Sequence, residues 1–183
     1  CYKFNYLPMI LLLAEIGVVV TFSARLFKSS IQAVRAMFFA YAILTGFTFS
    51  TLQYVYDSTT IYLAFGITAI YFGALCVIGA TTKMNLAKIQ PILFIGLLCL
   101  ILFNVAALFM DLSGMERVVC SLGLIIFTGL TAFDTQKMKN LYIEYQDNGE
   151  MLSRLSMYSA FDLYLDFINI FLYILRILGN KRD

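Results

Sequence analysis

The sequence predicts an all-α fold: a polytopic bundle of transmembrane helices. Of its 183 residues, 61% are hydrophobic and 13% are charged, whereas soluble domains average about 45–50% apolar and about 25% charged residues. Three stretches of more than 20 residues carry no charged side chain, and a bilayer core needs about 20 apolar residues per helix. None of these stretches alternates between polar and apolar residues as barrel strands do.

The charge-free stretches and three further apolar stretches predict six spans in a single transmembrane domain, residues 1–183. The spans are about residues 7–26, 36–56, 58–82, 89–110, 118–136 and 155–178. Small residues allow transmembrane helices to approach closely. We therefore expect close helix contacts at five glycines: Gly46, Gly66, Gly73, Gly79 and Gly129.

Composition also excludes several classes of protein. The net charge is +2 and the basic residues fall in short loops, so we expect a lipid bilayer as the partner and no nucleic acid. The chain has four cysteines without a CxxC pair, and it has no histidine. Because zinc and redox centres depend on those ligands, no cofactor is predicted.

The distribution of basic residues predicts the orientation. Loops 25–35, 83–88 and 137–154 together hold eight lysines and arginines, and the opposite side holds two. Basic loops stay in the cytoplasm, so these three loops are predicted to be cytoplasmic. The basic tail 176–182 runs against this rule. Either the last span crosses fully and the earlier spans fix the orientation, which we favour, or the last segment is re-entrant.

Four carboxylates interrupt the apolar spans: Glu15, Asp134, Asp162 and Asp166. A charge at the bilayer centre costs about 2.5–3.5 kcal/mol on insertion scales, and such residues usually face the bundle interior. Asp134 lies at the cytoplasmic end of its span. Asp162 and Asp166 lie about 10 and 16 Å along the last span, on one helical face that Asn169 continues.

Arg25 ends the first span on the same side, so the topology gathers it with the three aspartates in the inner half of the membrane. Two aspartates in contact at low dielectric cannot both ionise cheaply and are expected to share a proton. Once ionised, they are hard oxygen ligands for Ca²⁺. Structural roles remain open: an exposed helix end for Asp134, a positive-inside anchor for Arg25, and for Asp162 a hydrogen bond to Tyr158, Tyr164 or a neighbouring helix. Glu15 either lines a pathway or makes a polar contact.

Two C-terminal motifs carry a family resemblance. "FTGLTAFDTQKMKN" and "SAFDLYLDFINIFLYILRILG" resemble the last two helices of the transmembrane Bax inhibitor motif family, and "LTGFTFS" and "GATTKMNLAKI" fit the same pattern. The resemblance covers almost the whole chain and suggests a bacterial member in the inner membrane. It implies seven helices with the last one central. Six are predicted here, so the resemblance implies that this sequence lacks the family's first helix.

The resemblance also implies a function that is not enzymatic: a pH-sensitive calcium leak, with Ca²⁺ as the transported ion. Asp134 and Asp166 match the aspartate pair that shares a proton, forms the gate and offers Ca²⁺ ligands. Arg25 matches, approximately, the arginine latch that competes with calcium for Asp134. Asp162 is an additional acid in a common variant of the motif.

Two other classes of function compete with the leak. One is a non-conducting regulator that binds other membrane proteins through residues 137–154 and the basic tail. The other is an intramembrane aspartyl protease, which also pairs two aspartates across two helices. The GxGD motif of those proteases is absent, because "LYL" precedes Asp166.

Overall fold

The computed structural model describes residues 30–107, 110 and 113–179. In these ranges the chain forms five α-helices and no strand: α1 (Ile31–Ser50), α2 (Ser58–Thr81), α3 (Gln90–Ala106), α4 (Glu116–Tyr145) and α5 (Gly149–Leu178). The predicted all-α class is confirmed. The predicted span 7–26, which contains Glu15 and Arg25, lies outside the described residues.

Three of the helices begin at a side chain that caps the first turn. Ser30 Oγ accepts a hydrogen bond from the Ala33 N–H at 3.3 Å and so starts α1. Asp57 Oδ2 accepts the Thr60 N–H at 3.0 Å at the start of α2. Asn148 Oδ1 starts α5 in the same way. Each cap satisfies a backbone donor that has no partner within the helix.

Apolar surface and helix length identify a membrane protein. Among the described residues, three helical stretches are long and apolar enough to cross a bilayer, Ile31–Tyr54, Ser58–Thr81 and Glu116–Tyr145, and α3 is apolar but shorter. Large apolar side chains are exposed on α1, α2 and α3, for example Phe47, Ile70 and Phe94. A surface of this kind suits contact with lipid rather than water.

The last helix, α5, is the centre of the described bundle. It packs against α1, α2 and α4, and its residues Ile170 and Leu175 are completely buried. Aromatic rings join it to each of these neighbours. The ring contacts are Phe161 with Phe38 and Tyr41, Phe167 with Phe65 and Phe72, Phe171 with Phe49 and Phe65, and Tyr173 with Phe127.

The predicted connection 137–154 is instead almost entirely helical. Helix α4 continues to Tyr145 and α5 begins at Gly149, which leaves only residues 146–148 between them. Residues 137–145 are mostly good helix formers with no glycine or proline, so the charges end the apolar span without ending the helix. Each helix has 30 residues and is therefore about 45 Å long, against a bilayer core of about 30 Å. The two helices form a hairpin that extends beyond the span.

The glycines divide into two groups. A Cβ at Gly79 would collide with the backbone of α4, and a Cβ at Gly129 would lie 2.7 Å from a side chain of α3. The predicted close approach is confirmed at these two positions. Gly46, Gly66 and Gly73 have no atom of the described chain within 4 Å of an added Cβ, so the prediction does not hold for them in this part of the structure.

Candidate functional site

Four charged side chains meet where the inner half of α4 faces α5. Asp134 and Lys137 come from α4, and Asp162 and Asp166 come from α5. The Lys137 ammonium lies 3.1 Å from Asp162 Oδ2 and 3.8 Å from Asp134 Oδ1. The Asp166 carboxyl lies within electrostatic range of the other three groups. We call Asp134, Asp162 and Asp166 the acidic cluster.

Helical spacing explains why these residues meet. Asp134 and Lys137 are three residues apart on α4, and Asp162 and Asp166 are four apart on α5. Residues at these separations share one face of a helix. The short turn at 146–148 makes the two helices antiparallel neighbours, and their contact is the most extensive between any two described helices. The two motifs "AFDTQK" and "FDLYLD" therefore face each other.

Asp166 is the most buried member of the cluster. It is 4% exposed, and its Oδ2 has no hydrogen-bond partner among the described residues. The side chain of Thr131 lies beside the Asp166 carboxyl. Thr131 Oγ1 lies within hydrogen-bond reach of both the Phe127 carbonyl, at 2.8 Å, and the Asp166 carboxyl, so its single proton can serve only one of them at a time. A buried acceptor without a donor is unfavourable, so this carboxyl needs a proton or a cation.

The side chains of the site differ in their exposure. The exposed fraction of the side chain falls from 31% at Lys137 to 20% at Asp162 and 14% at Asp134. Asp166 lies deeper, and beyond it α5 continues into the main apolar core with Ile170. The cluster is therefore reached from the end of the bundle where the α4–α5 hairpin projects.

A cavity of about 270 Å³ lies next to Lys137, between α4 and the segment that joins α2 to α3. Its polar lining residues are Asn85, Gln90, Gln136, Lys137 and Asn140. Ala87, Phe133 and Leu141 complete the lining, and most of the lining surface is apolar. The cavity places a group of polar side chains beside the charged groups.

Gln136 holds the segment that closes this cavity. Its Oε1 accepts the Leu86 N–H at 2.9 Å, and its Nε2 donates to the Met84 carbonyl at 2.7 Å. The neighbouring Lys139 donates to the Ala80 carbonyl at 2.8 Å. These bonds tie the last turn of α2 and the segment after it to α4, beside Asp134. The sequence analysis did not single out either residue.

We expect Gln136→Leu to lower the stability of the bundle by about 1–2 kcal/mol, because two hydrogen bonds are lost and their backbone partners are left unpaired. The measurement is the thermal unfolding midpoint of purified protein in detergent. Asn140→Leu is the matched control, since Asn140 lines the same cavity and has no side-chain hydrogen bond in the described part of the chain. Equal unfolding midpoints for the two variants would show that the Gln136 hydrogen bonds do not stabilise the bundle.

The predicted gate residues are brought together. Asp134 and Asp166 are electrostatic neighbours, although no hydrogen bond joins their carboxyls among the described residues. Their roles as gate, pH sensor and Ca²⁺ ligands stay predictions. Arg25, the predicted latch, and Glu15 lie outside the described residues.

The secondary candidates have other partners. Asp162 pairs with α4 through Lys137, which matches the alternative of a neighbouring helix, and Tyr158 lies beside the pair. Asn169 Nδ2 donates to the Leu165 carbonyl of its own helix at 2.8 Å. Lys137 was missed because it was assigned to a loop. Its position three residues after Asp134 was the available signal.

No group of three or more histidine, cysteine, aspartate or glutamate side chains is arranged to hold a metal ion in the described ranges. A resident Ca²⁺ takes six to eight oxygen ligands. The pair Asp134 and Asp166 offers fewer protein ligands than that.

Comparison with known proteins agrees with the motifs. The family model described as inhibitor of apoptosis-promoting Bax1 matches residues 2–183. The inner membrane protein YbhL of Escherichia coli K12 is 38% identical over 174 residues, covering 94% of this chain and 74% of YbhL. A Borreliella burgdorferi protein is 38% identical over 175 residues, covering 96% of this chain and 75% of that protein.

A membrane protein of Streptococcus pyogenes is 33% identical over 154 residues, covering 84% of this chain and 66% of the relative. The match to the family model spans nearly the whole chain, and the relatives named above include two that are described as membrane proteins. The resemblance found in the two C-terminal motifs is therefore confirmed. This chain is an integral membrane protein that belongs to the Bax inhibitor-like family.

Proposed function

We propose that the chain forms a pH-sensitive calcium leak pathway in the bacterial inner membrane, with Asp134 and Asp166 as its gate. The observation that carries the proposal is the Asp166 carboxyl, which is buried beside Asp134 with one oxygen unpaired. Ionisable side chains inside a membrane bundle are costly and usually mark an ion or proton pathway.

The surroundings of Asp166 support two states of the gate. In the protonated state, the carboxyl is neutral and its hydroxyl can donate to Thr131 Oγ1 while Thr131 donates to the Phe127 carbonyl. In the ionised state, both carboxylates repel each other and need a cation between them. A proton and a cation therefore compete for the same place.

Calcium is the cation that suits these ligands best, because it prefers carboxylate oxygens and tolerates irregular coordination. Cytoplasmic orientation of the basic segments 25–35, 83–88 and 137–154 would place the accessible end of the cluster toward the cytoplasm. We propose Arg25 as the latch that competes for Asp134. The apolar core around Ile170 then closes the far side and must separate for an ion to pass.

The test is calcium flux through liposomes that contain the full-length protein, measured with an enclosed calcium dye over a series of pH values. We expect flux to rise with pH, because only ionised carboxylates bind Ca²⁺. Flux equal to that of empty liposomes at every pH would contradict the leak. Flux that is independent of pH, or that falls as pH rises, would contradict the gate.

A regulator without conductance is the second candidate. It is favoured by the projecting part of α4, where Tyr142 is 59% exposed and Ile143 is 56% exposed. Such side chains suit contact with another membrane protein. Co-purification of a stoichiometric partner, together with absence of flux, would favour the regulator over the leak.

A further inference from the structure

Lys137 lies between the cavity beside α4 and the acidic cluster. Its ammonium contacts Asp162 at 3.1 Å and Asp134 at 3.8 Å, and it lies 4.5 Å from the centre of the Tyr158 ring. The same side chain lines the cavity. It therefore borders both the cavity and the carboxyls of Asp134 and Asp162.

We propose that Lys137 is a tethered cation that occupies the binding place of an incoming divalent cation at Asp134 and Asp162, and that the cavity beside it is the cation's entrance. This inference rests on the proposed leak and adds a competitor and an entrance to it. The step is an exchange of two cations at the same carboxylates, without covalent chemistry.

Charge balance supports this exchange. With Asp134 and Asp162 ionised, Asp166 protonated and the Lys137 ammonium in place, these groups carry a net charge of −1. A divalent cation in place of the ammonium brings these groups to neutrality, and a monovalent cation does not. The cluster therefore favours a divalent cation once the lysine has moved.

The side chain is built for such a movement. Lysine carries a compact charge on a flexible four-carbon stem, and Lys137 is 31% exposed. Gln136 and Asn140 of the same helix line the cavity with it, so the displaced ammonium has their polar groups as new partners. The Tyr158 ring favours the docked position through a cation–π contact. The lysine therefore has two places to lie.

The test compares Lys137→Gln with Lys137→Arg in the full-length protein. Glutamine keeps much of the length and removes the charge, whereas arginine keeps the charge. We measure calcium flux into liposomes as a function of CaCl₂ concentration at fixed pH. Loss of the competing positive charge should lower the CaCl₂ concentration for half-maximal flux by about three- to tenfold in Lys137→Gln. Lys137→Arg keeps a cation that binds carboxylates, so it should not lower this concentration. Equal values for all three proteins would overturn the proposal.

A second readout separates this proposal from the leak itself. CaCl₂ should raise the thermal unfolding midpoint in detergent at lower concentration for Lys137→Gln than for the unmodified protein. This measurement needs no flux, so it tests Lys137 even if the leak fails. Equal CaCl₂ dependence would overturn the tethered-cation role.

Lys137→Gln leaves Asp162 without its counter-charge and could therefore fold poorly. Two further variants test the same proposal without that unpaired charge. Asp162→Asn and the double variant Lys137→Gln/Asp162→Asn both lack that unpaired charge. A lower CaCl₂ requirement in the double variant than in Asp162→Asn supports competition at Asp134. The same requirement in both overturns it.

Discussion

Asp166→Asn should abolish the rise of calcium flux with pH and reduce flux at high pH by at least about tenfold, which corresponds to the loss of about 1.4 kcal/mol of ion stabilisation. Asparagine has nearly the same shape as aspartate but stays neutral at every pH. It therefore removes both the titrating proton and the anionic Ca²⁺ ligand. Asp134→Asn should have the same effect, and the double variant should add little, because the two residues act as one unit. Flux into calcium-dye liposomes over a pH series measures all three.

The matched control is Asp57→Asn. Asp57 caps α2 by accepting the Thr60 N–H, and asparagine caps a helix equally well. We therefore expect its pH profile to match that of the unmodified protein. If Asp166→Asn also retains that profile when reconstituted in equal amount, the proposed gate is wrong.

Fold class and the shared depth of the two aspartates could be predicted because both depend on one-dimensional information. Apolar length defines spans, and the basic loops define their direction. Together these place Asp134 at the same depth as Asp162 and Asp166. The structure agrees that Asp134 and Asp166 are neighbours.

Lys137 and Gln136 could not be placed in the same way. Hydropathy marks the end of a membrane span at the first cluster of charged residues. The helix itself can continue beyond that point as long as its residues favour a helix. Extending α4 to Tyr145 turns both side chains inward, toward α5 and the segment after α2. Their partners are distant in sequence, so only the packing of the helices reveals them.

The glycines show the same limit in apolar packing. Small residues in spans predict that helices can approach, but they do not tell which face does so. Gly79 and Gly129 face neighbouring helices, and Gly66 has no described neighbour within 4 Å of an added Cβ. Because Gly66 and Gly79 lie in the same helix, alanine substitutions in α2 can test whether close packing at Gly79 stabilises the bundle.

Gly79→Ala should destabilise the bundle by about 1–3 kcal/mol, the usual cost of overpacking. The added Cβ would collide with the Ala132 carbonyl oxygen and lie 2.9 Å from Thr135 Cβ, and a backbone atom cannot move aside as a flexible side chain can. Helices α2 and α4 must therefore separate. Gly66→Ala and Gly73→Ala are matched controls in the same helix, and we expect them to be neutral or slightly stabilising, because alanine favours a helix over glycine. The thermal unfolding midpoint in detergent checks this, and a Gly79→Ala midpoint equal to those of the controls would show that α2 and α4 do not approach so closely.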